Sequence, residues 1–350
     1  MRKKAVTIYD IAQRLNISPS TVSRGLRNDE RINIDTRRLI AATAKELNYH
    51  PNRVAAGLRG GTTSTIGVIV PRIGRTFFAN AISGIESVAR SRNCQVIITQ
   101  SNETLATEIE NVQALTAARV DGIIASISVE TDVTDHFQLL QEQQFPLVFF
   151  DRVGRGFPAH RVMLDDFDSA VHAVTHLIEG GARRIAHLGG PSCLNVYENR
   201  YRGYLEALTT AGLPVYDEFV VLDAVNEKRA MEEAERMFAL PEVPDAIFCA
   251  SDYGALGVTK YAELHGISIP EDLRLVSFAN EPFTSIMTPT LSSVDQFSER
   301  MGITAAEMLF RQIDATEKPS EFEEIIVPGK LLVRQSSLVG STKHSNKVLP

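Results

Sequence analysis

The chain has 350 residues, 44% apolar and 23% charged, which leaves room for two or three packed domains and excludes a disordered or collagen-like polypeptide. Its three cysteines, Cys94, Cys193 and Cys249, are scattered, which fits neither a disulfide framework nor a zinc site and points to a reducing compartment. The net charge of −7 hides an asymmetry: residues 1–61 hold 12 Lys/Arg against 5 Asp/Glu (+7), and residues 62–350 hold 24 against 38 (−14). A basic head on an acidic body concentrates attraction for phosphate at one end.

The first residues, Met1–Thr7, are basic but lack the apolar run of a signal peptide, and no uncharged apolar stretch reaches bilayer length. A cytoplasmic protein without membrane attachment is expected. Thr7 is placed to cap a first helix, with Asp10 three residues on reaching back to the cap, and Ile8, Ile11, Ala12 and Leu15 mark one apolar face. Asn16-Ile17 turns the chain. Ser18 caps a second helix with Pro19 at its first position and Val22 facing inward. A third helix is predicted from Ile34 to Asn48, capped by Asn33, with Leu39, Ile40, Thr43, Ala44 and Leu47 inward.

Two short helices at this spacing predict a helix-turn-helix, whose second helix enters the major groove of DNA. Pro19, Ser20 and Arg24 are its groove-facing candidates, and Arg24 is suited to donate two hydrogen bonds to a guanine edge. Thr7, Thr21, Ser23 and Asn33 are candidates for phosphate contacts, which set register but not sequence. Pro51 then ends the head. Residues 52–58 are long enough for one or two helical turns, too few to persist alone in water. Leu58 reads either as an apolar wedge for the minor groove or as a stray leucine in a plain linker.

From residue 62 onward, near-continuous apolar strands alternate with amphipathic helices. Strands are predicted at 65–70, 95–99, 122–125, 147–150, 184–188, 246–250 and 273–277, with helices near 78–92, 104–118, 134–143, 167–179, 200–211, 226–238, 253–265 and 298–314. That order implies α/β architecture, with parallel sheets covered on both faces and ligands beyond the carboxyl ends of the strands. The polar and aromatic residues at those ends are Arg72, Phe77 and Phe78, Asn102, Ser126, Asp151 and Arg152, Asn195, Ser251 and Asp252, and Asn280 and Glu281, with Arg200 opening a helix. Such a set suits a small hydroxylated effector. Arg152 tilts the expectation toward a sugar acid or sugar phosphate, because a guanidinium clamps such groups bidentately.

Val6–Arg24, Leu47-Asn-Tyr-His-Pro-Asn-Arg-Val-Ala55 and Thr65-Ile-Gly-Val-Ile-Val-Pro71 together resemble the LacI/GalR family of bacterial transcription regulators, and the resemblance spans essentially the whole chain. It implies a small all-α helix-turn-helix head (1–50), a hinge helix and linker (51–61), a two-lobed periplasmic-binding-protein-like body (62–340) and a tail (341–350). It also implies a homodimer on a pseudo-palindromic double-stranded DNA operator, with Asn52, Ala55 and Leu58 facing the minor groove and the effector held between the lobes. Arg200, Asp252 and the loop after residue 278 would line that cleft. The loop departs from the pattern: where sugar-responsive members place Asp soon after Gly-Phe or Gly-Tyr, this chain reads Ser277-Phe278-Ala279-Asn280-Glu281. Phe78, Ile82, Ile85 and Val88, together with the segment near 104–118, are candidates for the dimer interface or for core. The tail has no heptads, which disfavours a tetramer-forming coiled coil.

Enzymatic readings find little support. His172 and His176 have the spacing of a metal pair but no third ligand, so no metal is expected. Leu188-Gly-Gly-Pro-Ser-Cys193 fits neither a phosphate loop nor a dinucleotide fingerprint, so no cofactor is expected, and no Gly-x-Ser-x-Gly elbow occurs. The carboxylates Asp165, Asp166 and Asp168 suit the positive end of a helix. The alternative function is a solute-binding protein without regulatory DNA binding.

Overall fold

A computed structural model describes residues 6–49, 63–154, 156–316 and 321–338. It divides between Thr63 and Ser64 into two compact units. Asn52, Ala55, Leu58 and the expected tail lie outside the described residues.

The first unit has three helices, α1 (Ile8–Leu15), α2 (Pro19–Leu26) and α3 (Ile34–Glu46). Ile11, Ala12, Val22, Ile40 and Ala44 form its core. Asp10 accepts from both the N–H and the hydroxyl of Thr7, each at 2.7 Å. Ser18 Oγ accepts from Thr21 N–H (3.1 Å), and Asn33 Oδ1 accepts from Asp35 N–H (2.8 Å), so each helix start finds an acceptor for an otherwise orphan donor. Leu39, expected inward, is 55% exposed. The inward stripe of α3 runs through Ile40, Thr43 and Ala44, and Leu39 stands about 100° off it.

The second unit consists of two lobes, each built on a six-stranded sheet. The first sheet has the order β11-β5-β4-β3-β1-β2, from β1 (Thr65–Val70), β2 (Gln95–Gln100), β3 (Ile123–Ala125), β4 (Leu147–Phe150), β5 (His160–Leu164) and β11 (Glu324–Val327). The second has the order β12-β10-β9-β8-β6-β7, from β6 (Ile185–Leu188), β7 (Val220–Val221), β8 (Ala246–Cys249), β9 (Arg274–Phe278), β10 (Ser292–Asp295) and β12 (Lys330–Leu332). Every pair is parallel except β10 with β12, so the expectation of purely parallel sheets needs that one correction.

Helices cover the sheets: α4 (Thr76–Ser91), α5 (Leu105–Ala117), α6 (Asp135–Glu142) and α11 (Ser298–Asp314) the first, and α7 (Asp166–Glu179), α8 (Asn195–Thr210), α9 (Glu227–Phe238) and α10 (Asp252–His265) the second. The chain crosses between the lobes three times: from β5 into α7, from β10 into α11, and from β11 to β12. Helices α4 and α11 pack backbone to backbone. A Cβ on Gly302 would overlap the Ala81 carbonyl oxygen, and one on Gly84 would overlap that of Glu299. Phe78 and Ile85 are buried in the core, as are Val112 and Leu115 of α5, so these candidate interface residues face inward. Leu194 and Val196, at the start of α8, leave their own lobe and pack among Phe149, Val153 and Phe157 of the first.

Candidate functional site

On the head, Arg24 is exposed on α2, and no described side chain bonds its guanidinium. Its neighbours are tied locally: the Ser20 and Thr21 hydroxyls lie 2.7 and 2.8 Å from Ser18 Oγ, and Arg27 Nη2 donates to Ser23 Oγ (2.9 Å). Each hydroxyl keeps capacity for a further bond. Pro19 is half-buried at the first position of α2. The Ile40 side chain of α3 packs closely against α2 behind this face, since a Cβ on Gly25 would press into Ile40 Cδ1.

In the body, a cleft of about 680 Å³ opens between the lobes at the carboxyl ends of the strands. Eight sequence candidates line it: Arg72, Phe77, Phe78, Asp151, Arg152, Arg200, Ser251 and Glu281. Five do not. Asn102 is drawn to the Gln100 side chain. Ser126 is fully buried at the end of β3. Asn195 is a clasp between lobes: its Nδ2 donates to the Asp151 carbonyl (2.9 Å) and its Oδ1 accepts from Val153 N–H (3.0 Å). Asn280 is held by Arg334 Nη2 (2.7 Å) and donates to Asp295 (3.1 Å).

Asp252 is the fifth and is wholly buried. Its carboxylate accepts from Ser277, from Ser293 (2.7 Å) and from the Glu281 N–H (2.7 Å). Burial outweighs these donors and pushes the carboxyl up to about 7. The folded state therefore holds this proton more tightly than the unfolded chain, whose Asp titrates near 4. Stability from this group is complete below about pH 4 and is lost as pH rises toward 7. Asp252→Asn is expected to flatten the fall of Tm between pH 5 and 7; an unchanged slope would remove the assignment.

Two arginines organise the floor of the cleft. Arg152 Nη1 donates to Glu103 Oε2 (2.8 Å), and its Nε lies 3.9 Å from Asp151. Glu103 also accepts from Val129 N–H (3.1 Å) and draws Arg72 to 3.8 Å. Arg200 is buried: its Nε and Nη2 each lie 2.7 Å from Asp166 Oδ1, and its Nη1 donates to the Ala250 carbonyl (2.8 Å). The guanidinium rests 4.2 Å above the Phe278 ring. Burial raises Asp151 to about 6 and Asp166 to about 7 against the pull of these arginines. Asp166, expected only to suit a helix end, is thus the partner that fixes Arg200.

Sequence reasoning missed Glu103, Arg75, Tyr197, Tyr253 and Gln296, all of which line the cleft. Arg75 and Tyr253 meet across its mouth, with the guanidinium 4.1 Å above the ring. All but Gln296 lie within three residues of a position that was named, so reading whole strand-end loops finds those four; Gln296 follows β10, a strand that the sequence pattern does not predict. His176, far from the cleft, bonds Ser337 Oγ at 2.8 Å, and no group of three potential metal ligands occurs among the described residues.

Comparison with known proteins matches residues 7–52 to the bacterial regulatory proteins, lacI family, and residues 174–337 to the periplasmic binding protein-like domain. Catabolite control protein A of Priestia megaterium is 31% identical over 334 residues, which is 95% of this chain and 99% of that protein. The chain belongs to the LacI family. The ribose operon repressor of Halalkalibacterium halodurans is 30% identical over 97% of this chain and 99% of its own length. Among solved structures, the transcriptional regulator CelR–cellobiose complex aligns with TM-score 0.71 at 26% identity, over 95% of this chain and 99% of that one. The lac repressor dimer bound to operator and the anti-inducer ONPF aligns with TM-score 0.85 over 96% of this chain and 100% of that one; at 24% identity it shows the shared fold. This LacI-family chain is accordingly a DNA-binding regulator of transcription, and the alternative of a plain solute binder is not favoured. No described helix is long and apolar enough to cross a membrane.

Proposed function

We propose that this LacI-family regulator is a cytoplasmic, non-catalytic repressor that binds a pseudo-palindromic operator as a homodimer and is switched by a small carbohydrate-like effector in the cleft. The observation that carries this reading is the presence in one chain of a family-matched DNA-reading head and a polar, aromatic-lined cleft. Relatives support it: one is named for the ribose operon, and one neighbouring structure contains cellobiose. Residues 1–50 read DNA, 51–61 connect, and 62–340 bind effector and partner. Pro19, Ser20 and Arg24 face base edges, while Thr7, Thr21, Ser23 and Asn33 meet phosphates. Asn52, Ala55 and Leu58 lie in the minor groove.

The effector acts through its difference in affinity for two arrangements of the lobes, and the shift in operator affinity equals that difference. Selection from a pool of random duplexes, with and without a panel of sugars, tests the whole reading. A recovered near-palindrome whose occupancy changes with one sugar is expected, whereas recovery of no sequence under any condition would overturn the proposal. Within that assay Arg24→Ala should weaken operator binding by about 1–3 kcal/mol and relax one base position. An unchanged sequence preference would exclude its base contact.

A further inference from the structure

The first lobe holds a further cavity of about 180 Å³. It lies at the other end of the sheet from the effector cleft. Leu147 and His160, which line it, are the first residues of the parallel strands β4 and β5, and the cleft opens at their carboxyl ends. Phe145, Pro146, Ala159 and Phe322 complete the apolar walls, and three glutamines supply amides. No Lys, Arg, Asp or Glu lines this cavity, whereas four arginines and three carboxylates line the cleft.

One polar group in the cavity is fixed in place and unused. His160 is buried, and its Nδ1 accepts from the Glu323 N–H (3.2 Å). Burial holds the imidazole below its ordinary value, so the ring is neutral at pH 7. A neutral imidazole that accepts at Nδ1 carries its proton on Nε2. No described group takes that Nε2–H. Glu323, which orients the ring, is itself anchored: its carboxylate accepts from Arg311 Nη2 (2.9 and 2.8 Å) and its carbonyl from the Arg161 N–H (3.0 Å). The walls are held as firmly. Gln312 of α11 accepts from the Leu147 N–H (3.2 Å) and donates to its carbonyl (3.4 Å), and Gln141 of α6 donates to the Pro158 carbonyl. Gln144 is exposed at the rim, and no described group bonds its amide. Phe322 is 49% exposed, with its ring edge-on to His160 at 5.5 Å. A fixed donor between fixed walls is the arrangement of a preorganised binding site.

We propose that this cavity is a second small-molecule site, for an uncharged aromatic ring that carries a carbonyl oxygen or ring nitrogen. An apolar cavity of about 150 Å³ holds benzene, so the space suits one ring with a short substituent. Phe145 and Phe322 offer that ring aromatic contacts. Its acceptor takes the His160 Nε2–H, and an amide N–H beside the acceptor meets the Gln144 oxygen. A charged ligand is turned away because no ionised side chain lines the cavity to offset its desolvation. The site is separate from the effector cleft and does not depend on how that cleft is read.

Saturation-transfer NMR titration of the full-length protein with benzamide, toluene and benzoate tests this. Benzamide is expected to bind saturably and more tightly than toluene, which lacks the acceptor, or benzoate, which adds a charge. Phe322→Ala should weaken benzamide about three- to tenfold. His160→Ala should bring benzamide down to the affinity of toluene and leave toluene nearly unchanged, a difference that general loosening of the lobe would not produce. Tyr197→Ala, in the cleft, should leave all three probes as they were. A benzamide Kd that F322A leaves unchanged while Y197A raises it would place the ring in the cleft and overturn the proposal. A Kd indifferent to both substitutions would overturn it as well. So would toluene or benzoate binding the wild type as tightly as benzamide, or no saturable binding of benzamide.

Discussion

Gly302→Ala is expected to destabilise the effector-binding body by about 3 kcal/mol, near the upper end of what overpacking a close-packed site costs. The added methyl would overlap the Ala81 carbonyl oxygen, and it would lie 2.7 Å from that residue's carbonyl carbon and 2.9 Å from its Cα. These are backbone atoms of α4, so no rotamer change relieves the clash and the two helices must part along their length. Parting them uncovers Ala81, Ile85, Ala305 and Ala306, all fully buried. Urea denaturation should show a lower midpoint with an unchanged slope. Gly74→Ala is the control, since a Cβ there meets nothing within 4 Å. Equal midpoints for the two variants would mean that the α4–α11 junction tolerates separation.

The second large effect is expected at Asp166. Its replacement by alanine leaves the Arg200 guanidinium 5% exposed and without its anion, with only the Ala250 carbonyl as an acceptor. Breaking a buried pair in this way costs about 3–5 kcal/mol, most of it the penalty of an uncompensated charge. Arg200→Met in the same background should recover much of the loss, because it removes the charge and keeps apolar contact with Phe278. A double variant no more stable than Asp166→Ala alone would show that Asp166 acts on the crossing from β5 to α7 and not through Arg200. Effector titration of the double variant separates the two roles further, since Arg200 lines the cleft and Asp166 does not.

What the sequence revealed and concealed follows from how each element is built. Strands such as Thr65-Ile-Gly-Val-Ile-Val70 and Leu147-Val-Phe-Phe150 are buried on both faces and read as apolar runs. β10, Ser292-Ser-Val-Asp295, has one large apolar residue and earns its place through hydroxyls. Ser292 Oγ donates to the Arg334 carbonyl and Ser293 Oγ to Asp252, partners that no local pattern reveals. β5, β7, β11 and β12 were missed for related reasons: β5 alternates in burial, and the other three are short edge strands. The start of α8 was placed five residues late because its cap position is Leu194, which offers no side-chain acceptor.

The same logic divides the cleft residues. Arg200, expected to open a helix, stands in the second turn of one that begins at Asn195, whereas Asp151 was legible from its place at a strand end. Asp252 stands in an equivalent place, but the serines of β9 and β10 claim it. Whether a strand-end carboxylate meets a ligand or a hydroxyl from its own sheet depends on long-range register, which a sequence does not display. Head residues were more legible, because caps and turns are decided within four positions along the chain. Leu39 was the exception, where a general apolar preference was given more weight than the angle around the helix.

The intrusion of Leu194 and Val196 into the opposite lobe makes the contacts that bridge the cleft unequal in strength. Parting the lobes there would wet two aliphatic side chains, at roughly 1.5–3 kcal/mol each. Arg75 over Tyr253 also bridges the lobes, a contact worth about 0.5–2 kcal/mol. A ligand that displaced Arg75 from Tyr253 would therefore meet less resistance than one that drew Leu194 and Val196 out of the first lobe.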